Sequence, residues 1–291
     1  MNTERERGYR RRMRRVLEHI DAHLDEPLDV DRLSAVAAFS PFHFQRQFSA
    51  MFGLGVGAYV RALRLKRAGS RLAFRHDETV TAIAFDAGYA GNEAFARALR
   101  RWLDQSPSQL RSAPDWEAWQ AAIAPLTLLR RNHMNRKYLA SDIEIREFPR
   151  TPLVILRHRA PAATLGASIR KLIDWRRANG LAPTRAATFN IFHGDPDDAA
   201  SGPFGIDLAV ATMAEPGEGM ERGELPAGRY AVLRQVGSPD DLRAGFDYLY
   251  GEWLPQSGEE PRDMPPFAQR VSFFPEVPEH EAVTDLFLAL V

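Results

Sequence analysis

Apolar residues recur at helical spacing through roughly the first 112 positions. Met13, Val16, Leu17, Ile20 and Leu24 fall three or four apart, and that run ends before Pro27. Asp29 is placed to cap a short helix carrying Val30, Leu33, Val36 and Ala37. After the turn "AFS", Ser40 stands as the next N-cap, with Pro41 at the first helical position, where a missing N–H costs nothing. A long helix is expected over 56–74, a short one capped by Thr79 (Val80, Ile83, Ala84, Ala87), and a last one over 92–103 beyond the turn "GYAG". Short helix, tight turn and longer helix therefore occur twice, about 50 residues apart, with Leu33, Phe44 and Phe48 matching Ile83, Phe95 and Leu99. Each copy has the pattern of a helix-turn-helix, whose second helix can enter a DNA major groove. Two in tandem are a far more specific signal than one.

The faces of those second helices separate structure from reading. Advancing 100° per residue puts Phe44, Phe48 and Met51 on one side, while Gln45, Arg46 and Ser49 fall within about 60° of Phe42. A large aromatic in the middle of a polar face suits a DNA reader: Gln pairs with adenine, Arg with guanine, and an aromatic touches a thymine methyl. In the second motif Phe95, Leu99, Trp102 and Leu103 turn inward, leaving Asn92, Glu93 and Arg97 outward with two alanines between. That face is poorer in reading groups, so it is expected to position more than to specify.

Residues 113–137, with two prolines and a basic end, read as a connector containing at most a short helix. From Tyr138 the pattern changes to strands and helices, again duplicated: "PLVILRHRAP" matches "RYAVLRQVGS", setting Arg157 against Arg234. Each copy continues into a helix and two strands, giving a β-α-β-β unit with a period of about 77 residues. Two such halves, each too small for its own core, are expected to pack with a cleft between them. The fold class is thus two domains: an all-α N-terminal domain over 1–112 with two tandem helix-turn-helix motifs, the connector 113–137, and an α+β domain over 138–291.

Composition changes this picture in two places. A formal net charge of zero hides a split, because residues 1–115 hold 19 basic and 14 acidic side chains, a net of +5 that the remainder balances. A basic half beside an acidic half fits a nucleic-acid-binding module joined to something else. Without cysteine there is no disulfide, thiolate zinc site or cysteine nucleophile, and a cytoplasmic setting is expected. The basic start lacks the apolar stretch of a secretory signal, and no run approaches the ~18 apolar residues of a membrane span. His19 and His23 have a spacing that could hold a metal but lack a third ligand, and His193 is similarly unsupported, so no metal, cofactor or catalytic residue is expected.

The tandem motifs, with "RALRLKRAGSRLA" between them and "IAFDAGYAGNEAFARALRRWLDQSPSQLR" after, resemble the AraC/XylS transcription regulators over about residues 10–111. The resemblance implies a seven-helix DNA-binding domain with Phe42, Gln45, Arg46, Asn92, Glu93 and Arg97 at DNA-facing positions. Departures from the family are Asp104 for a usual Gly, Leu110 for a usual Tyr, and Gly69 inside the connecting helix. The second half, through "LPAGRYAVLRQVGSPDDLRAGFDYLYGEWLPQSGEE" and "LIDWRRANGLAP", resembles the GyrI-like effector-binding domains. Those bind small molecules, often lipophilic cations, between the repeats using aromatics and a carboxylate. By that reading Trp175, Phe189, Tyr230, Tyr250, Trp253 and Phe267 are candidates for an aromatic wall, although helical spacing favours a core role for Trp253. Gln269 stands where the family commonly has Glu, so a neutral ligand is as acceptable as a cation. The expectation is a transcriptional regulator whose partners are double-stranded promoter DNA, a small-molecule effector and RNA polymerase, and not a membrane. The alternatives are a hydrolase or drug-sequestering protein acting through the second domain, or an inhibitor of another protein.

Overall fold

The computed structural model describes residues 2–134, 138–194, 205–272 and 276–291, and it divides into two compact units, Met1–Asn135 and Arg136–Val291. The first unit is helical: α1 (Asn2–Ala22), α2 (Val30–Ala37), α3 (Pro41–Phe52), α4 (Val56–Phe74), α5 (Val80–Asp86), α6 (Asn92–Leu103), α7 (Pro107–Ser112) and α8 (Trp116–His133). The caps read from the sequence are in place: Asp29, Ser40 and Thr79 each accept a backbone N–H from the first turn that follows. Ser106 and Gln109 close a capping box on α7.

Two small cores sit side by side in this unit. One joins Met13, Val16, Leu17 and Ile20 of α1 to Leu33, Phe44, Phe48 and Tyr59, and the other gathers Leu72, Ile83, Phe95, Leu99 and Leu110. α4 serves both, with Tyr59, Val60 and Leu63 in the first and Leu65, Ala68 and Leu72 in the second. The stretch expected as a connector does the same. Over Trp116–His133 it is an 18-residue helix, not a short one, sending Trp119 and Ile123 into the second core and Leu126 and Leu129 into the first. The spacing of those four side chains was the available signal, and Pro125 concealed it, since proline inside a helix removes an internal hydrogen bond. Buried Arg130 anchors α8 to α1 through Asp21 at 2.6 Å. α8 also explains Gly69, because a methyl there would stand 2.6 Å from Trp119 Cη2 and closer still to Cζ3. Asp104 takes the left-handed conformation (φ 56°) at the end of α6, which a glycine adopts freely and an aspartate tolerates.

The second unit runs β1 (Ile143–Phe148), β2 (Thr151–His158), α9 (Leu165–Ala178), β3 (Thr188–His193), β4 (Gly205–Ala211), β5 (Glu221–Leu225), β6 (Gly228–Val236), α10 (Leu242–Tyr248), a π-helical turn (Leu249–Trp253), α11 (Leu254–Ser257), β7 (Phe267–Ser272) and β8 (Val283–Ala289). The duplicated β-α-β-β unit is present as β2-α9-β3-β4 and β6-α10-β7-β8, and each copy is preceded by a strand the sequence reading missed. All eight strands form one antiparallel sheet, in the order β1-β6-β8-β7-β3-β4-β2-β5. The halves therefore meet along the β3–β7 pair, continuously, and not as separate bodies flanking a cleft.

The connections dictate the sheet's shape. β1 and β2 stand six places apart in the order, as do β5 and β6, yet each pair is joined by only two residues. Laid flat, six inter-strand spacings measure about 29 Å. A two-residue link reaches at most about 11 Å. The sheet must curl until its edges converge at that end. Phe148, closing β1, shows the result: its ring meets those of Phe189, Tyr230, Phe267 and Phe287, on four different strands, at 5.3–6.2 Å. The concave face carries this aromatic cluster. On the outer face, α9 covers Leu156, Ile206 and Leu208, while the α10–α11 segment covers Leu233, Ala268 and Leu286.

Candidate nucleic-acid interface and effector cavity

Ala38, left-handed at φ 53°, turns the chain out of α2, and Ser40 with Pro41 starts α3 at once. Phe44 and Phe48 are fully buried and pack edge to face at 5.8 Å. That fixes the rotation of α3 and turns the opposite face outward: Phe42 (70% exposed), Gln45, Arg46 and Ser49 all face solvent. Within that face the Arg46 guanidinium lies 5.4 Å from the centroid of the Phe42 ring. Such stacking leaves the guanidinium's N–H groups free to donate while limiting the conformers it samples.

In the second motif Phe95, Leu99 and Leu103 are buried and Asn92, Glu93 and Arg97 are exposed. Their polar groups are already engaged. Asn92 Nδ2 donates to Thr81 Oγ1 at 2.9 Å, and Glu93 and Arg97 form an i,i+4 ion pair at 3.7 Å. Before α6 can read a base, one hydrogen bond must be exchanged and a carboxylate lies beside its arginine.

The residues named for the effector wall are divided by the sheet. Phe189, Tyr230 and Phe267 come together on the concave face, where they are buried beneath Phe148, and Gln269 is in register with Phe189 on one side and Asp285 on the other. Trp175 on α9 and Trp253 on the π-helical turn belong to the outer-face cores, and Tyr250 is partly exposed on that same turn. Glu252, on the same turn, is exposed. An open cavity of about 490 Å³ lies next to the aromatic cluster, over the first repeat. Its walls include Ile155, Ile191, Leu225 and Met264, with Arg157, Asp207, Glu221 and Arg262 supplying charge and His193 an imidazole. For Ile155, Arg157, Ile191, His193 and Asp207 the available signal was strand alternation, since the register of β2, β3 and β4 puts them on the face that carries Phe189.

The two repeats treat equivalent acids differently. Arg157 pairs across strands with Asp207, as Arg234 does with Asp285. In the second repeat Arg234 grips buried Asp285 with two hydrogen bonds of 2.7 and 2.8 Å, and Arg146 approaches the same acid at 3.4 Å. Hydrogen bonding to Asp285 raises the Arg234 pKa. In the first repeat Arg157 turns away to Glu221, and Asp207 is held by Arg159 at 2.6 Å and His193 at 2.8 Å. Tyr230 donates to the Pro226 carbonyl at 2.8 Å and receives a hydrogen bond from Arg262 at 2.7 Å. Burial pushes the Tyr230 phenol up, and Arg262 partly opposes that. Among the described residues no cluster of three His, Asp or Glu side chains could hold a metal ion, and no helix is long and apolar enough to cross a membrane.

A helical unit carrying two helix-turn-helix motifs, joined to a curled sheet beside an open cavity, fits the class of DNA-binding regulators that carry a small-molecule binding domain. Residues 141–291 match the family model described as a GyrI-like small molecule binding domain, and residues 33–113 match a helix-turn-helix domain. The chain belongs to the GyrI-like family and is, through its helical unit, an AraC-type DNA-binding transcriptional regulator. Among its relatives, the probable transcriptional regulator YgiV of Escherichia coli K12 is 34% identical over 157 residues, covering 52% of this chain and 98% of YgiV. The right origin-binding protein of the same strain is 33% identical over 107 residues, 37% of each chain. The regulatory protein SoxS of Salmonella typhimurium LT2 is 33% identical over 96 residues, 33% of this chain and 89% of SoxS.

Proposed function

We propose that α3 sets the sequence preference of this regulator, through Phe42, Gln45, Arg46 and Ser49, while α6 positions the protein on the duplex through Asn92, Glu93 and Arg97. The observation that carries the reading is the outward stack of Arg46 on Phe42, set against the internally engaged polar groups of α6. The effector, on this reading, occupies the cavity over the first repeat, with its apolar part against Ile155, Ile191 and Met264. Phe189, Tyr230, Phe267 and Gln269 support that cavity from the adjoining floor, and Trp175, Tyr250 and Trp253 take no part. Occupancy is read out as altered operator binding or altered contact with RNA polymerase. Arg46→Ala then costs about 1–3 kcal/mol on the preferred operator and relaxes the preference at one base pair. Competition binding with single-base operator variants tests it, and even weakening on every sequence would make Arg46 a phosphate contact.

One observation favours a second reading. His193 and buried Asp207 form a hydrogen-bonded pair in the cavity wall, an arrangement suited to a general base. Hydrolysis of a small electrophile by the full chain, lost in His193→Gln, is the result that would favour it.

A further inference from the structure

α8 touches the second helix of each motif. Near its start Trp119 meets Trp102 of α6 edge to face, with ring centroids 5.8 Å apart. At its end His133 meets Phe52, the last residue of α3, edge-on at 4.9 Å. In between, Ile123 joins the core that holds α6, while Leu126 and Leu129 join the core that holds α3. From Trp119 to His133 the helix rises about 21 Å, so a single helix runs from α6 to α3.

α4 crosses between the same two cores in the opposite sense, with Tyr59, Val60 and Leu63 in the first and Leu65, Ala68 and Leu72 in the second. Joined by α4 alone, the cores could bend across it or twist about its axis. An antiparallel second helix opposes both motions, provided that it is fixed at each end. Here it is: the Trp119 indole fills the place a methyl on Gly69 would take, and buried Arg130 pairs with Asp21 of α1 at 2.6 Å. Trp119 and Leu129 are both buried, so neither lies on the outward face of a motif.

We propose that α8 is a strut that fixes α6 relative to α3, so that both helices engage one duplex at the same time. Trp119, Leu129 and His133 are positioning residues, acting through Trp102, the first core and Phe52. The proposal rests on α3 reading bases and α6 gripping the backbone, and it adds a determinant outside both helix-turn-helix motifs. Once α3 is seated, a rigid link presents α6 to the duplex at a high effective concentration. A loosened link must order α6 at the moment of binding and gives that advantage up.

The test is hydroxyl-radical footprinting of the full chain on a duplex that the wild-type protein selects from a randomised pool. Wild type should protect two patches of backbone on one face, about 10 bp apart. Leu129→Ala loosens α8 in the first core and leaves the second core untouched. At saturating protein it should keep the patch over the preferred bases and weaken the distant α6 patch, with base preference unchanged. Leu129→Met refills the site and should restore the second patch. Affinity gives an independent reading, because changes at unconnected sites combine to within about twofold. Arg97→Ala should weaken binding by a factor at least about threefold smaller in Leu129→Ala than in wild type. If Leu129→Ala is poorly folded, His133→Ala carries the same test, since it removes one ring contact and no core side chain. Both patches fading together, or independent effects of the two changes, overturns the proposal. Two patches that neither variant alters would sink the strut alone, whereas a single patch in wild type would sink the role of α6 with it.

Discussion

Replacing Gly69 by alanine sets two effects of similar size against each other. Gly69 lies in the interior of α4, where alanine favours the helix by about 1 kcal/mol. Its new methyl would sit 2.6 Å from Trp119 Cη2, against the ~3.5–4.0 Å of a comfortable carbon contact. The indole is 8% exposed and backed by Trp102 at 5.8 Å, so it must shift by about 1 Å within a packed site. Overpacking of this kind costs about 1–3 kcal/mol. The net effect is a loss of up to about 2 kcal/mol. The sign reverses once the obstacle is gone. Trp119→Ala alone should cost about 3–5 kcal/mol, and Gly69→Ala added to it should then stabilise by about 1 kcal/mol. Native-state amide exchange of α4 and α8 in the full chain reads the helical unit separately from the sheet unit. The double-mutant cycle should give a coupling of about 1–3 kcal/mol. Gly69→Ala stabilising both backgrounds equally would refute the close packing of α8 on α4.

Other outcomes follow from particular contacts. Asp21→Ala removes the carboxylate partner of buried Arg130 and should cost about 3 kcal/mol in the same exchange measurement. Burial lowers the pKa of His19, with His23 adding to it, and burial followed by Arg10 lowers that of His133. An imidazole depressed in the folded state is protonated first in the unfolded chain, so its stabilisation is lost as pH falls below about 6.5. Protection in the helical unit should decline from pH 7.5 to 5.5, and His19→Asn with His133→Asn should flatten that decline. Ile191→Trp fills part of the cavity and should abolish the thermal shift produced by any compound that stabilises the wild-type chain through that site.

Much of the helical unit is legible because each of its signals is local. Asp29, Ser40 and Thr79 act on the turn that follows them, and Phe44 and Phe48 fix the face of α3 from within one helix. What escaped depends on distant segments. Gly69 reads as a simple cost until α8 is seen to require it, and α8 was obscured by Pro125. Helical spacing already favoured a core role for Trp253, but aromatic content pointed to Trp175, and which side of the sheet a residue occupies is settled by strand order, which arises from two short links between distant strands. Arg157 and Arg234 are equivalent in the repeat and still choose different partners, Glu221 and Asp285. No repeat pattern carries that difference.

The division of labour between the two reading helices is the claim on which the account turns, and selection from a randomised duplex pool tests it most directly. Wild type, Arg46→Ala and Asn92→Ala/Glu93→Ala would be run in parallel at one salt concentration. The account predicts a defined preferred sequence for wild type, loss of preference at one base pair in Arg46→Ala, and an unchanged sequence bound with altered strength in the α6 variant. Absence of any enriched sequence, or a preference that changes with the α6 variant and not with Arg46→Ala, would contradict it.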